Sequence, residues 1–252
     1  MDHVHVVHEG SLAVLTLSRG KANGLNTAMC VEMRDAVRAA SADPAMHGLV
    51  LASDRPKFFC AGFDIAEVFR YDRAGLTECF RAFGEMFEEI LFLEKPVVAA
   101  LSGHAYAGGA VLALTADVRV IADGPFGFAV NEINIGAVLP PNVYRLMEDA
   151  VGVRQARRML LTGDAIKVPE ALAIGLVDDV VPVERVLPRA IELAVGLAEK
   201  PAATFAEMKR MTRTVRGYAR SADPGPSVDP WFTPETIARK TAMLAALEKP
   251  KA

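Results

Sequence analysis

One acidic residue lies in a stretch that is otherwise apolar or amide-bearing. Glu132 falls within residues 126–136, which read FGFAVNEINIG. A carboxyl group removed from water ionises less readily, so its pKa should rise toward neutrality, where it can both take up and return a proton. The alternative is a glutamate satisfied by a helix cap or an ion pair. These residues alone leave a proton-transfer group and a structural carboxylate both open.

Two glycine-containing turns could stabilise the negative charge that such a proton transfer creates. Residues 59–65 read FCAGFDI and residues 102–110 read SGHAYAGGA. Small residues let a backbone approach a ligand closely, and a helix start leaves N–H groups unpaired and partly positive. Two such turns that face one point would form an oxyanion hole. Simple loop geometry is the alternative, and neither turn matches a dinucleotide-binding or P-loop pattern.

The elements that must position these segments alternate along the first half of the chain. Apolar strands separated by helical stretches predict an α/β fold with βαβ crossovers and largely parallel pairing. From about residue 141 the pattern is mainly helical. Residues 53–62 are predicted as a loop and 221–230 as a linker. The predicted strands are Val4–His8, Leu12–Ser18, Gly48–Ala52, Val97–Leu101 and Val118–Ala122, and the helices of the first half are Thr27–Ala40, one from Ile65, Ala74–Leu93 and one ending near Thr115.

Composition excludes several classes of function. The chain has 252 residues, 52% of them hydrophobic, and a formal net charge of -3. That charge gives no basis for nucleic-acid binding. The sequence has no membrane-span pattern and no signal-peptide pattern at its start, so we expect a cytoplasmic protein with no membrane partner. Cys30, Cys60 and Cys79 show no metal-ligand spacing, and no metal site is predicted.

The three chemistry-bearing segments, in this order and spacing, resemble the crotonase (enoyl-CoA hydratase/isomerase) family. Within it they resemble more closely the mitochondrial-type Δ3,Δ2-enoyl-CoA isomerases. Residues 21–26 (KANGLN) are similar to the family's first CoA-contacting loop, and residues 61–65 (AGFDI) to its A-G-x-D-[IL] motif. Residues 103–117 resemble its second glycine turn and helix, and residues 130–136 the isomerases' L-N-E-x-x-L-G. The resemblance runs from about residue 12 to the C-terminus.

The resemblance implies a fold, an assembly and a set of binding residues. It implies a crotonase-like spiral of ββα units over residues 1–195 and a C-terminal helical trimerisation region over 196–252. It also implies a homotrimer or a hexamer built as a dimer of trimers. The substrate would be an acyl-CoA, and no cofactor is expected because the CoA is part of that substrate. The predicted oxyanion donors are the N–H groups of Phe63 and Gly108, and the residues placed near the CoA thioester are Ala22, Leu25, Ala61, Gly62, Asp64, Ile65, Gly109 and Asn131.

One departure from the hydratase pattern bears on the reaction. Hydratases use two glutamates; the second matches Glu132, but the first aligns with Val111, where the isomerases also have an apolar residue. The resemblance therefore favours movement of a double bond from 3-enoyl-CoA to 2-enoyl-CoA, with Glu132 as the single proton shuttle. Enoyl-CoA hydration, another thioester-enolate reaction and a non-catalytic acyl-CoA-binding scaffold stay open as alternatives.

Two further polar residues have no unique interpretation. Asn131 could orient the Glu132 carboxyl group or contact the thioester, or it could simply occupy a turn. His104 lies within the second glycine turn, where we expect packing rather than proton transfer.

Overall fold

The computed structural model describes residues 1–221 and 223–248. Residue 222 and residues 249–252, which belong to the predicted C-terminal region, lie outside the described residues. The predicted α/β class is confirmed: ten strands form two sheets among eleven helices within this described part. None of the described helices is long and apolar enough to cross a membrane.

The larger sheet has six strands in the order β1-β2-β3-β5-β7-β10. The predicted hairpin is present, with β1 antiparallel to β2, and the strands that follow pair in parallel. Apolar residues point to both faces, as expected for a sheet covered on both sides. Leu49 and Leu51 enter the main core, whereas Val50 and Ala52 pack with a second cluster. The strands are β1 Val4–Glu9, β2 Leu12–Leu17, β3 Gly48–Ser53, β5 Val97–Leu101, β7 Val118–Ala122 and β10 Asp179–Val181.

The smaller sheet has four strands in the order β4-β6-β8-β9. Its first three strands each follow one strand of the larger sheet, so a strand–strand–helix unit repeats three times along the chain. The larger sheet takes the first strand of each unit and the smaller sheet takes the second. This is the stacked ββα spiral that the resemblance implied. The strands are β4 Phe58–Cys60, β6 His104–Tyr106, β8 Gly127–Ala129 and β9 Ile166–Lys167.

The helices close the spiral and form the C-terminal part. The predicted boundary at residue 195 falls inside α8, whose buried side chains pack on the larger sheet. The helices are α1 Thr27–Ala42, α2 Ile65–Val68, α3 Arg73–Leu91, α4 Gly108–Leu114, α5 Pro141–Val151, α6 Val153–Thr162, α7 Val168–Ala173, α8 Val186–Ala198, α9 Ala202–Val215, α10 Gly225–Val228 and α11 Pro234–Glu248. Short 3₁₀ turns cover Glu132–Ile135, Val183–Arg185 and Asp229–Phe232.

Several predicted boundaries were wrong for local reasons. α1 is capped at its start by Asn26, whose side chain accepts the Met29 N–H, and it runs to Ala42 rather than to the predicted end at Ala40. The predicted loop 53–62 contains β4, and the second glycine turn contains β6. The predicted linker 221–230 contains α10 and the start of a 3₁₀ turn.

Candidate active site

The three segments selected from the sequence meet because their strands are neighbours. β4, β6 and β8 pair in parallel, with Cys60 opposite Ala105 and Ala105 opposite Phe128. The carboxyl ends of parallel strands lie at one edge of a sheet, which is where ligands bind in many α/β proteins. The first turn, the second turn and the Glu132 segment each follow one of these ends, so the sheet brings them together.

The backbone hydrogen bonds of the first turn leave the N–H group of Phe63 pointing away from Leu25. Leu25 and Phe63 form an isolated parallel bridge, in which Leu25 bonds to the flanking residues through the Gly62 carbonyl and the Asp64 N–H, both at 2.8 Å. In that pattern the N–H of Phe63 itself points away from Leu25. Among the described residues it donates to no backbone carbonyl. It is therefore free to donate to a ligand.

The second turn packs directly against the first. Gly62 has φ +86°, and a Cβ added there would lie 2.7 Å from Cβ of Ala107 and 3.1 Å from the N atom of Gly108. Only glycine fits both that conformation and that space. The N–H of Gly108, at the start of α4, likewise donates to no backbone carbonyl within the described residues. The two predicted oxyanion donors thus lie on adjoining turns.

Ala107 has a strained backbone at this junction. Its φ of 47° and ψ of -128° lie in a region that L-residues rarely adopt. The Ala107 N–H donates to the Ala129 carbonyl at 2.8 Å, and its carbonyl accepts from the Val111 N–H at 2.9 Å. These two bonds, from β8 and from α4, hold the strained conformation that sets the direction of the next N–H group.

The thiol of Cys60 stabilises the first turn through two hydrogen bonds. Its thiol lies 3.0 Å from the Asn23 carbonyl, to which it donates, and its sulfur accepts the Gly62 N–H at 3.4 Å. Burial raises the pKa of this thiol to about 12, so it stays protonated and donating. Its place is structural, as expected for a small buried residue in a packed loop.

Glu132 begins the 3₁₀ turn after β8 and is only 8% exposed. Burial raises the pKa of its carboxyl group from 4.5 to about 7, and its own backbone N–H opposes this rise. The Oε2 atom is buried without a hydrogen-bond partner in the described structure. Within the described residues the carboxyl group forms no ion pair, and its hydrogen-bonding partner is its own backbone N–H. Its role in proton transfer stays a prediction.

A cavity of about 550 Å³ joins these groups. Phe63, Gly108 and Glu132 all line it, as does Val111, which is 1% exposed on α4. The helix therefore presents an aliphatic side chain where the hydratase pattern has a carboxylate. Aromatic residues from the end of α2, from α3 and from the C-terminal part supply much of the remaining wall: Phe69, Phe80, Phe83, Phe87 and Trp231.

The residues predicted near the CoA divide into two groups by location. Ala61, Ile65 and Asn131 line the cavity together with the reactive groups. The others lie behind it or at its edge. Ala22 accepts the Ala61 N–H at 2.9 Å, and Gly109 packs on the Cys60 carbonyl. Leu25 and Gly62 are buried at the junction of the turns.

Asp64 has a structural environment. Its side chain caps α2, with Oδ1 accepting the N–H groups of Ala66 and Glu67. Its Oδ2 accepts from Arg19 Nη1 at 2.7 Å, and the same guanidinium bonds the Gly24 carbonyl and Glu67. The arginine thus ties the 21–26 loop to the first glycine turn.

Asn131 and His104 are also placed. Asn131 precedes the 3₁₀ turn, and its side chain does not cap that turn. Its contact with the Glu132 carboxyl group or with the thioester stays a prediction. Nδ1 of His104 accepts the Gly127 N–H at 3.0 Å and lies 2.8 Å from the Tyr106 hydroxyl. Burial lowers the pKa of His104, assisted by the charge of Lys167. The histidine therefore packs within the turn, as expected.

Sequence reasoning missed a set of polar residues at another part of the same cavity. No motif marks them, because they come together only where the segment that follows α9 packs against α3 and α5, with Ser221 bonded to Glu88 and Ala219 bonded to Asn142. Helical spacing from Phe80 and Gly84 could mark Glu88 alone among them. They are Glu85, Glu88, Asn142, Ser221, Asp223 and Ser227.

Within the described residues, no group of three or more His, Cys, Asp or Glu side chains could hold a metal ion.

Comparisons with known proteins identify the family to which this fold and this site belong. The family described as Enoyl-CoA hydratase/isomerase matches residues 8–222, and the chain belongs to that family. Enzymes of this family act on acyl-CoA thioesters and typically form oligomers.

Individual relatives include both types of enzyme. The crotonyl-CoA hydratase of Syntrophomonas wolfei is 35% identical over 201 residues, which are 79% of this chain and 76% of that protein. The human mitochondrial enoyl-CoA delta isomerase 1 is 32% identical over 181 residues, 71% of this chain and 60% of that protein. The crystal structure of human mitochondrial Δ3,Δ2-enoyl-CoA isomerase superposes with a TM-score of 0.92 at 27% identity, covering 99% of this chain and 100% of that one.

Proposed function

We propose that the protein is an enoyl-CoA isomerase that converts 3-enoyl-CoA to 2-enoyl-CoA. The observation that carries this proposal is the buried Glu132 carboxyl group, whose Oε2 atom has no partner in the described structure, in a cavity where Val111 takes the place of the hydratases' other catalytic carboxylate. A 1,3-proton shift needs one group that removes and returns the same proton. Syn addition of water is better served by two carboxylates, one for the water and one for the carbon.

The proposed reaction begins with the thioester carbonyl between the N–H groups of Phe63 and Gly108. The Glu132 carboxylate removes a proton from C2, and the electron pair of that C–H bond forms a dienolate whose negative oxygen accepts both hydrogen bonds. The protonated Glu132 then returns the proton at C4. The double bond ends between C2 and C3, conjugated with the carbonyl, and the carboxylate is regenerated. A pKa near neutrality suits both half-steps.

Hydration of 2-enoyl-CoA is the second candidate, supported by the 35% identity to a crotonyl-CoA hydratase. One paired assay separates the two. The first arm supplies 3-enoyl-CoA and follows the absorbance of the conjugated thioester as it forms. The second arm supplies 2-enoyl-CoA and follows loss of that absorbance.

We expect rapid conversion in the first arm, slow loss in the second, and at least a 10³-fold fall in isomerisation for Glu132→Gln. Glu89→Gln is the matched control, since Glu89 is a glutamate of α3 that does not line the cavity. Efficient hydration in the second arm contradicts the proposal. Binding of acyl-CoA with no turnover in either arm supports the scaffold alternative instead.

We further propose a homotrimeric or hexameric, cofactor-independent enzyme of the cytoplasm. Light scattering of the purified protein gives the assembly mass. Activity that survives dialysis against a chelator supports independence from a metal, and fractionation of the source cells tests the location.

A further inference from the structure

The cavity extends along α3 beyond the groups that carry the proposed chemistry. The side chain of Phe83 lies beside Gly108, and its ring is 5.1 Å from that of Phe63, so this level of α3 faces the reactive end. Glu88 follows five residues later, about 7.5 Å further along the helix axis. At Gly84, between them, an added Cβ would meet no atom within 4 Å. The cavity therefore continues along α3 from the oxyanion turns to Glu88.

The wall of the cavity changes character along this path. Near the reactive end it is formed by aromatic rings and by Val111. At Glu88 it includes Ser221, whose N–H bonds that carboxyl group, and the polar residues Asn142 and Ser227 also line the cavity. A site built only for a hydrocarbon chain has no use for this change, because an apolar terminus gains nothing from polar groups that it separates from water.

Glu88 is held in place but has hydrogen-bonding capacity to spare. The residue is 7% exposed, and its Oε1 accepts the Ser221 N–H. Its Oε2 lies 3.8 Å from Nη1 of Arg220, close enough for charge attraction and too far for a hydrogen bond. Burial raises the pKa of this carboxyl group, with the Ser221 N–H and Arg220 opposing the rise. Oε2 can thus accept a hydrogen bond from a ligand in the cavity.

The charges around Glu88 restrict the kind of ligand group that fits. A cationic terminus would be placed beside the guanidinium of Arg220, which already faces the carboxylate. An anionic terminus would meet the carboxylate of Glu88, and Asp223 also lines the cavity, whereas Arg81, the cation in its lining, is already paired with Glu78. A hydroxyl group is neutral, donates to a carboxylate, and can accept from the hydroxyl of Ser227, which also lines the cavity.

We propose that the acyl chain bound by this cavity carries a hydroxyl group near its far end, with Glu88 Oε2 as the acceptor. This inference rests on the proposed function for the direction of the chain, with its thioester at the oxyanion turns. It names the substrate class as a medium-length hydroxyacyl thioester rather than a plain fatty acyl thioester.

The test measures binding of saturated acyl-CoAs, which need no double bond and no turnover. Titration calorimetry compares each plain thioester, from butanoyl-CoA to decanoyl-CoA, with its terminally hydroxylated counterpart. We expect about tenfold tighter binding of the hydroxylated member at one chain length, since a hydrogen bond to a charged group is of that order, and no preference at shorter lengths.

Variants of α3 assign the effect to one side chain. Glu88→Leu should abolish the preference and tighten binding of the plain chain. Glu88→Gln, which still accepts the Ser221 N–H, should keep part of the preference and confirms that the fold around it survives. Glu89→Gln should behave like the unmodified protein.

Equal affinity for plain and hydroxylated chains at every length would overturn the inference, as would a preference that survives Glu88→Leu. Because saturated thioesters are not isomerised, a failed isomerase assay leaves this result interpretable. Conversely, isomerisation of plain 3-enoyl-CoA with no hydroxyl preference in binding removes only the inference about the chain.

Discussion

Replacing Glu132 with glutamine removes an ionisable group from a place where its charged form is poorly solvated. The carboxyl group has a pKa of about 7 in the folded protein against an ordinary value of 4.5. Because the folded state holds this proton more tightly than the unfolded state, stability falls as the pH rises from about 4.5 to about 7 and then levels off. At about 1.4 kcal/mol per pKa unit, the full penalty is about 3 kcal/mol.

The glutamine variant has no such proton to lose, and it approximates the shape of the neutral acid. We therefore expect Glu132→Gln to unfold at higher denaturant concentration than the unmodified protein near pH 8. Near pH 5 the difference should be about 2 to 3 kcal/mol smaller, since most of the penalty is absent there. The variant should lose activity while it gains stability, which is the pattern of a group kept for chemistry.

The measurement is urea unfolding at both pH values, at one fixed protein concentration because association contributes to stability. Glu89→Gln is the control, since its carboxylate is partly exposed and pairs with Arg38 at 3.0 Å. A stability gain for Glu132→Gln that is the same at both pH values would refute the reasoning. The carboxyl group would then not be the source of the pH dependence.

The remaining predictions concern the same cavity. The kcat/KM for 3-enoyl-CoA should rise with pH through an apparent pKa of about 7, because Glu132 must be ionised to remove a proton; a pH–rate profile flat across that range would contradict its role. Gly62→Ala should lower kcat by about 10² or more, since the added Cβ lies 2.7 Å from Cβ of Ala107. Gly196→Ala, in α8 with open space around it, should instead leave kcat unchanged and raise stability by about 0.5–1 kcal/mol, measured by thermal unfolding. Val111→Glu should give measurable hydration of 2-enoyl-CoA in the paired assay, and hydration that does not rise above the unmodified protein's level would show that the missing carboxylate is not what limits it.

The sequence predicted the segments whose structure depends on neighbours in the chain. The strands Val97–Leu101 and Val118–Ala122 were predicted with their observed bounds. A continuous apolar run between polar turns is enough to mark a buried strand, and a glycine-rich turn marks a close backbone approach. The reactive segments could be selected for the same reason, because each carries its signal within about ten residues.

The second strand of each repeating unit could not be predicted in the same way. β4, β6 and β8 have three residues each, too few to show an alternating pattern, and they exist because they pair with one another. The polar end of the cavity was missed for a related reason. Glu88 and Ser221 are 133 residues apart, and only tertiary packing joins them. No short stretch of sequence carries a signal for a contact between residues so far apart.

The energetic cost of the site argues for catalysis over a binding-only role. Ala107 is held in a backbone conformation that costs about 1–3 kcal/mol. The N–H groups of Phe63 and Gly108 and the Oε2 atom of Glu132 lack protein partners within the described structure. Binding a CoA thioester does not require a buried carboxyl group that is costly to ionise, because a neutral glutamine would line the cavity equally well. A carboxyl group whose pKa is raised to about 7 is suited to exchange a proton near neutral pH, and the strained turn beside it orients the N–H group that we propose as an oxyanion donor. The strain and the buried acid are therefore best explained together, as two parts of one proton-transfer site.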